Sequence, residues 1–375
     1  MVWGLVHLPE KIRATLEKLV RDLSRRETVL GVGLFGSWSR GDAAVSSDVD
    51  LLVVDKQNRQ WEYVERLELD NILIDLNYVP LKWILGPVPP EIDQKLFETH
   101  VLYDRDWSLT NTKDWMTKAF RKPERLNIRS EVYLVDSDVY MSRAASACAR
   151  GDLQSAVVFA SVGLESFLKT LIEISLLPVS NSHFVRALDE ACRKLGFQWV
   201  FDSFMKVSML SDAGYREADR KLNLFRAIWN DISSLTKDHA STLNSVHFRI
   251  KSRLNYYGRP AFLRGMIARG QAIINSGACA EACHYVLHTL VDALENYAYL
   301  ASATEDARLD YTTLFRSLRG LRETPPRIYE AAVEAFDVRD VTREKAEDTV
   351  KLAKETLLYL RRQRRELIQN MVKAA

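Results

Sequence analysis

The stretch Gly33-Leu-Phe-Gly-Ser-Trp-Ser-Arg-Gly-Asp-Ala-Ala-Val-Ser-Ser-Asp-Val-Asp-Leu-Leu-Val-Val54 decides how this chain is read. An apolar run over 28–35 ends at a small-residue turn, Gly36-Ser37, and ten residues separate that turn from Asp48. Residues 48–54 form a short β-prone run, and 72–79 form another. Side chains at i and i+2 of a strand share a face. Asp48 and Asp50 therefore project together, while Val49 and Leu51 point into a core. Asp75 lies inside the later apolar strand Ile72-Leu-Ile-Asp-Leu76. Carboxylates held side by side repel one another unless a cation neutralises them. Three hard oxygen donors suit Mg²⁺, which fills its octahedron with water and substrate phosphates. Two such ions, roughly 3.5–4 Å apart, would clamp the attacking and leaving oxygens of a displacement at phosphorus.

Gly36-Ser37 supplies the complementary half. Glycine lets the backbone approach a phosphate, and consecutive N–H groups at a strand-to-helix turn make an anion nest. The Ser37 hydroxyl adds a donor, and Arg40 is close enough in sequence to pair with a triphosphate oxygen.

Phe35-Gly36-Ser37, Asp48-Val49-Asp50-Leu51 and Ile74-Asp75-Leu76 together resemble the DNA polymerase β-like nucleotidyltransferase superfamily. The pattern there is an apolar residue before Gly-[Gly/Ser], a spacer, Asp-apolar-[Asp/Glu]-apolar, and a later apolar-acid-apolar. The wording is similar to that of the minimal and the kanamycin nucleotidyltransferase-like enzymes, and Leu102-Tyr-Asp-Arg-Asp106 looks like the segment closing such a domain. The resemblance covers about the first 110 residues. It implies an α/β (α+β) domain with a short mixed sheet, two Mg²⁺ ions on Asp48, Asp50 and Asp75, and an NTP, ATP first, held by Gly36, Ser37 and Arg40. It further implies NMP transfer to an acceptor hydroxyl with release of pyrophosphate. A small-molecule acceptor is preferred. Transfer to RNA or to a protein hydroxyl, and a non-catalytic NTP-binding regulator, are the alternatives.

The 375 residues suggest at least two domains. The net charge of +2 provides no strong field toward nucleic acid or membrane. Four cysteines without a disulfide-scaffold spacing fit a reducing cytoplasm. The first seven residues lack the basic and apolar regions of a signal peptide. No apolar run approaches the length of a membrane span, 156–164 being the longest.

A catalytic head over 1–110 is expected to precede a helical body. Within the head, Ile12, Leu16, Leu19, Val20 and Leu23 form the stripe of an amphipathic helix over 9–25, and a short helix is expected near 91–97. Arg121-Lys-Pro-Glu-Arg125 is the linker candidate. The body divides at 111–259 and 260–375, with helices over 137–150, 151–172 and 261–275, another from 277, and two more in the tail, the last from Thr342. Its helix–Gly-Asp–helix layout at 137–172 resembles the HEPN domains that often accompany minimal nucleotidyltransferases. Segment 277–297 resembles a second copy. No Arg stands four to six residues before any His, a departure from catalytic HEPN ribonucleases that leaves a substrate wall or a homodimer surface.

Other constellations are weaker. Cys279/Cys283 and His284/His288 are i,i+4 pairs about 100° apart around one helix, which favours packing over a zinc site. Glu165, in an otherwise apolar helix, reads as an ion-paired or surface residue rather than a general base; more simply, Asp75 is the base, or the metal lowers the acceptor pKa enough without one. Residues 249–259 interleave basic and aromatic side chains, as an RNA contact does. Arg361-Arg-Gln-Arg-Arg365 reads as a solvated helix end.

Overall fold

A computed structural model describes residues 8–44, 46–57, 59–322 and 324–374, with 371–374 as backbone alone. The seven residues read against a signal peptide lie outside the described residues. The chain forms two compact units: residues up to Arg125 together with Arg259–Gly265, and Leu126–Gly258 with Met266–Ala375. The first boundary thus falls at the end of the linker candidate rather than at 110. The second unit continues past 260 as one body, apart from the short segment that belongs to the first.

The first unit begins with α1 (Glu10–Ser24), whose Leu16, Leu19, Val20 and Leu23 are buried as the stripe requires. Five strands follow in a mixed sheet: β1 (Val29–Phe35), β2 (Val49–Asp55), β3 (Tyr63–Leu69), β4 (Ile72–Pro80) and β5 (His100–Asp104). Their spatial order is β3-β4-β2-β1-β5. β2 and β4 are parallel, and every other neighbouring pair is antiparallel. Short helices α2 (Ser37–Arg40), α3 (Leu81–Leu85) and α4 (Asp93–Glu98) punctuate the strands, and α5 (Ser108–Ala119) follows them.

Alternation along β2 builds two cores. Val49, Leu51 and Val53 join α1 on one face, while Leu52 and Val54 join Ile84, Leu96 and Leu109 of α3, α4 and α5 on the other. Leu109 is fully buried there, which is why α5 belongs to the sheet domain. Strand β3 is absent from the sequence expectations. Its hairpin with β4 turns through Asp70 and Asn71, both at positive φ (52° and 61°), the geometry that lets a two-residue turn follow the strand twist. Thr15 of α1 donates to Asp70 Oδ2 at 3.0 Å and ties the turn down.

The second unit is helical. It comprises most of α6 (Pro123–Ala149), then α7 (Leu153–Ile174), α8 (Phe184–Leu195), α9 (Gln198–Val207), α10 (Tyr215–Asp238), α11 (Ala240–Ser245) and α12 (Phe248–Tyr257). The later part of α13 (Pro260–Asn275), α14 (Cys279–Thr304), α15 (Leu314–Gly320), α16 (Pro326–Ala335) and α17 (Arg343–Ala374) complete it. Both α7 and α14 start after a left-handed glycine, Gly151 and Gly277. Asp152 caps α7 by accepting from Ser155 N at 3.2 Å. By length and composition α7 could cross a membrane, which corrects the expectation that no segment approaches that size. It is instead the core helix of this unit, and its Glu173 is paired with Arg129 at 2.6 Å. The basic run near the C-terminus is likewise more than a solvated end: Arg364 is buried and bonded to Glu131 of α6.

Candidate active site

The sheet registers four residues across four neighbouring strands. Phe35 faces Asp50, Asp50 faces Asp75, and Asp75 faces Arg66. Residues paired across neighbouring strands share a face, so Asp50, Asp75 and Arg66 project to the same side. Asp48 immediately precedes β2 and lies two residues from Asp50, which brings it to that side as well. The acids cluster because the sheet register puts them there, with no metal needed to explain how they meet.

Arg66 is the hinge of the cluster. Its Nε donates to Asp75 Oδ1 at 2.7 Å and its Nη2 to Asp75 Oδ2 at 2.5 Å, a bidentate fork. The same Nη2 also bonds Asp48 Oδ2. Arg66 and Asp75 are almost completely buried, so this guanidinium holds two of the three carboxylates in fixed orientations. Gly265, from the α13 segment that belongs to this unit, makes room for it: a Cβ there would come within 2.7 Å of Arg66 Nη1. Arg259 of the same segment donates to the Arg66 carbonyl at 2.7 Å. Of residues 249–259, read as a basic-aromatic stretch, 249–257 lie in the helix α12, with Leu254 and Tyr257 buried.

The turn after β1 completes the site. Gly36 sits at φ 77°, and a Cβ there would lie 2.5 Å from Asp50 Oδ2. The glycine therefore lets the turn close onto the carboxylate. Ser37 opens α2, and its carbonyl accepts from the Gly41 and Asp42 amides. The Gly36 amide donates to Glu98 Oε2 at 3.2 Å, and Arg40 Nη1 donates to the same oxygen at 2.7 Å. Arg40 Nε also reaches Asp42 Oδ2 at 3.1 Å. Burial raises the Glu98 pKa, an effect that Arg40, Gln94 and the Gly36 amide only partly offset. Burial opposes the charge on Arg40, but Glu98 and Asp42 outweigh it and raise its pKa. A carboxylate thus already lies on the amide and guanidinium expected to meet a phosphate.

Arg66 and Glu98 escaped the sequence reading. A lone arginine between two glutamates reads as a solvated strand residue, and Glu98 follows no motif. The available signal for Arg66 was the Asp70-Asn71 turn, which sets the hairpin register. Glu165 lies in the helical unit beside His284 and His288. The neighbouring Cys283 is buried, with its thiol pushed up to about 12 by that burial.

Residues 16–105 match the model of the nucleotidyltransferase domain family. No curated protein matches the chain. A crystal structure of a nucleotidyltransferase-like protein from Exiguobacterium sibiricum 255-15 shares 12% identity, over 88% of this chain and 90% of that one, with a TM-score of 0.34.

Proposed function

We infer that this chain, whose residues 16–105 belong to the nucleotidyltransferase domain family, moves a nucleoside monophosphate from an NTP to an acceptor hydroxyl. The observation that carries this reading is the register of Asp50 against Asp75, with Asp48 drawn to the same place through Arg66. Three carboxylates and one guanidinium carry two net negative charges, and their oxygens are the hard donors Mg²⁺ prefers. Asp48, Asp50 and Asp75 would hold two such ions. When bound, Mg²⁺ would neutralise phosphate charge and make the acceptor oxygen easier to deprotonate.

The chain's own groups orient the reaction. The acceptor oxygen attacks the α-phosphorus, a P–O bond forms, and the bond to the bridging oxygen breaks. Pyrophosphate departs with that electron pair. Asp75, held in one orientation by Arg66, takes the acceptor proton. The Gly36 amide, Ser37 and Arg40 receive the β- and γ-phosphates. Gly36 and Arg40 do so by exchanging the Glu98 carboxylate for a phosphate oxygen of like charge.

ATP is the proposed donor and a small molecule the proposed acceptor, because a net charge of +2 provides little attraction for a polyanion. RNA is the second reading, favoured by Arg249 and Arg253, both exposed one helical turn apart on α12, with Lys251 between them. The test incubates the protein with Mg²⁺, each α-labelled NTP and a size-fractionated cell extract. Label in the small-molecule fraction, absent with Asp48→Ala, supports the reading. Label on RNA or protein names the other acceptor. No label in any fraction, with Mg²⁺ or Mn²⁺, sinks transfer and leaves nucleotide binding alone.

A further inference from the structure

We propose that Glu165, His284 and His288 form a binding site for a borderline divalent transition-metal ion, zinc first, in the helical unit. The open coordination position of this site faces an adjoining apolar cavity. Nothing in the nucleotidyl-transfer reading uses these residues.

Geometry comes first. His284 and His288 are one turn apart on α14 and therefore share a face, and Glu165 meets them from α7. Glu165 Oε2 lies 3.2 Å from His284 Nε2, and Glu165 Oε1 lies 2.8 Å from His288 Nδ1. One donor atom from each residue falls within a group spanning 4.8 Å, and among the described residues no other joins that group. Donors about 2.0–2.1 Å from a tetrahedral ion stand about 3.3–3.4 Å from one another. Small side-chain rotations would therefore close the set around an ion.

Burial makes the set unusual. Glu165 and His284 are each 4% exposed. Despite its approach to Glu165, neither ring nitrogen of His284 makes a well-formed hydrogen bond. A buried polar group left so is destabilising, and coordination at Nε2 would remove that cost on one side of the ring. Packing holds the ring in place: Phe184 stacks on it at 4.7 Å with planes 15° apart. Lys169, one turn along α7, is farther away, at 3.9 Å from Glu165 Oε1.

Donor chemistry selects the ion. Two imidazoles and one carboxylate suit zinc or ferrous iron, whereas Mg²⁺ prefers oxygen alone. Three protein ligands leave a fourth position, as at sites that bind an exchangeable water. The cavity beside them, about 40 Å³, is lined mainly by apolar side chains such as Val157, Val158, Leu287 and Val291, with the Ser161 and Ser208 hydroxyls among them. It has room for a water on the metal, with a serine hydroxyl on its wall as a further partner.

The test uses the full chain carrying Asp48→Ala and Asp50→Ala, so that the carboxylate cluster cannot report. The protein is stripped with chelator, loaded with Zn²⁺, Co²⁺ or (without oxygen) Fe²⁺, desalted and assayed for metal per chain. We expect one retained equivalent, a higher Tm and visible Co²⁺ ligand-field bands. His288→Ala and Glu165→Gln should each weaken binding by more than about 100-fold and abolish the bands. His288 is partly exposed, so His288→Ala is decisive if Glu165→Gln fails to fold. Iron retained over zinc upholds the site and identifies its ion. No retained metal and no Tm shift at tens of micromolar metal, or retention unchanged by His288→Ala, overturns the proposal and leaves a buried ion-paired cluster.

Discussion

Gly36 has no room for a side chain. Its φ of 77° and the 2.5 Å approach of Asp50 to any Cβ make Gly36→Ala costly, by about 1–3 kcal/mol, and the carboxylate must shift as well. A lower urea midpoint together with reduced transfer is the expected outcome; an unchanged midpoint would show that the turn relaxes freely. Asp50→Asn should behave oppositely. It relieves like-charge repulsion, so Tm should hold or rise while transfer falls on the order of 10²–10³-fold. A fall in both would mark Asp50 as structural. Arg66→Ala should cost about 3–5 kcal/mol because it strands carboxylates that Arg66 now holds. If those carboxylates bind Mg²⁺, adding it should raise the variant's Tm more than that of the native chain. Equal shifts would argue against ions on Asp48 and Asp75. At this scale the aspartates were legible, since strand alternation alone puts Asp48 beside Asp50. Arg66 was not, because a charged residue on an outer strand carries no mark of what it faces.

Elements carry the next set of effects. In the helical unit, Glu217 and Arg220 of α10 bond at 2.6 Å, and Lys221 Nζ reaches Glu217 Oε1 at 2.9 Å. Lys221 also donates to the Ala335 carbonyl at 2.5 Å and pairs with Asp337 just beyond α16. Burial disfavours the Glu217 charge, but Arg220 and Lys221 overcome it and lower the pKa from 4.5 to about 2. A depressed carboxylate pKa stabilises the fold above the unfolded value and loses that contribution as pH falls through the folded one. Stability should therefore drop between pH 4.5 and about 2, and Glu217→Gln should flatten that part of the profile in acid melts. An identical slope in the variant would assign the acid loss to other groups. The helical character of this region was readable from apolar periodicity, but α8 to α12 were not picked out one by one. The β3–β4 hairpin was not, although Asp70-Asn71 is a good turn pair, because Tyr63–Leu69 is part polar and lies at the sheet edge.

For the whole molecule, the chain path is the main surprise. Helix α13 begins in the sheet domain and ends in the helical unit, so the first domain is completed by residues far along the chain. A fragment ending at Arg125 should show faster hydrogen exchange in β3 than the full chain, because it lacks the Gly265 and Arg259 support around Arg66. Equal protection would mean that residues 259–265 are dispensable to the sheet. The sequence by itself determined the nucleotidyltransferase motif, the face shared by Asp48 and Asp50, and the change from a sheet to helices, because each rests on local periodicity and turn chemistry. Only the tertiary structure decided that Asp75 stands in register with Asp50, that Arg66 holds the acids, and that Glu165 meets His284 and His288. Those contacts join residues distant along the chain, and long-range packing, which no local pattern encodes, chooses their partners.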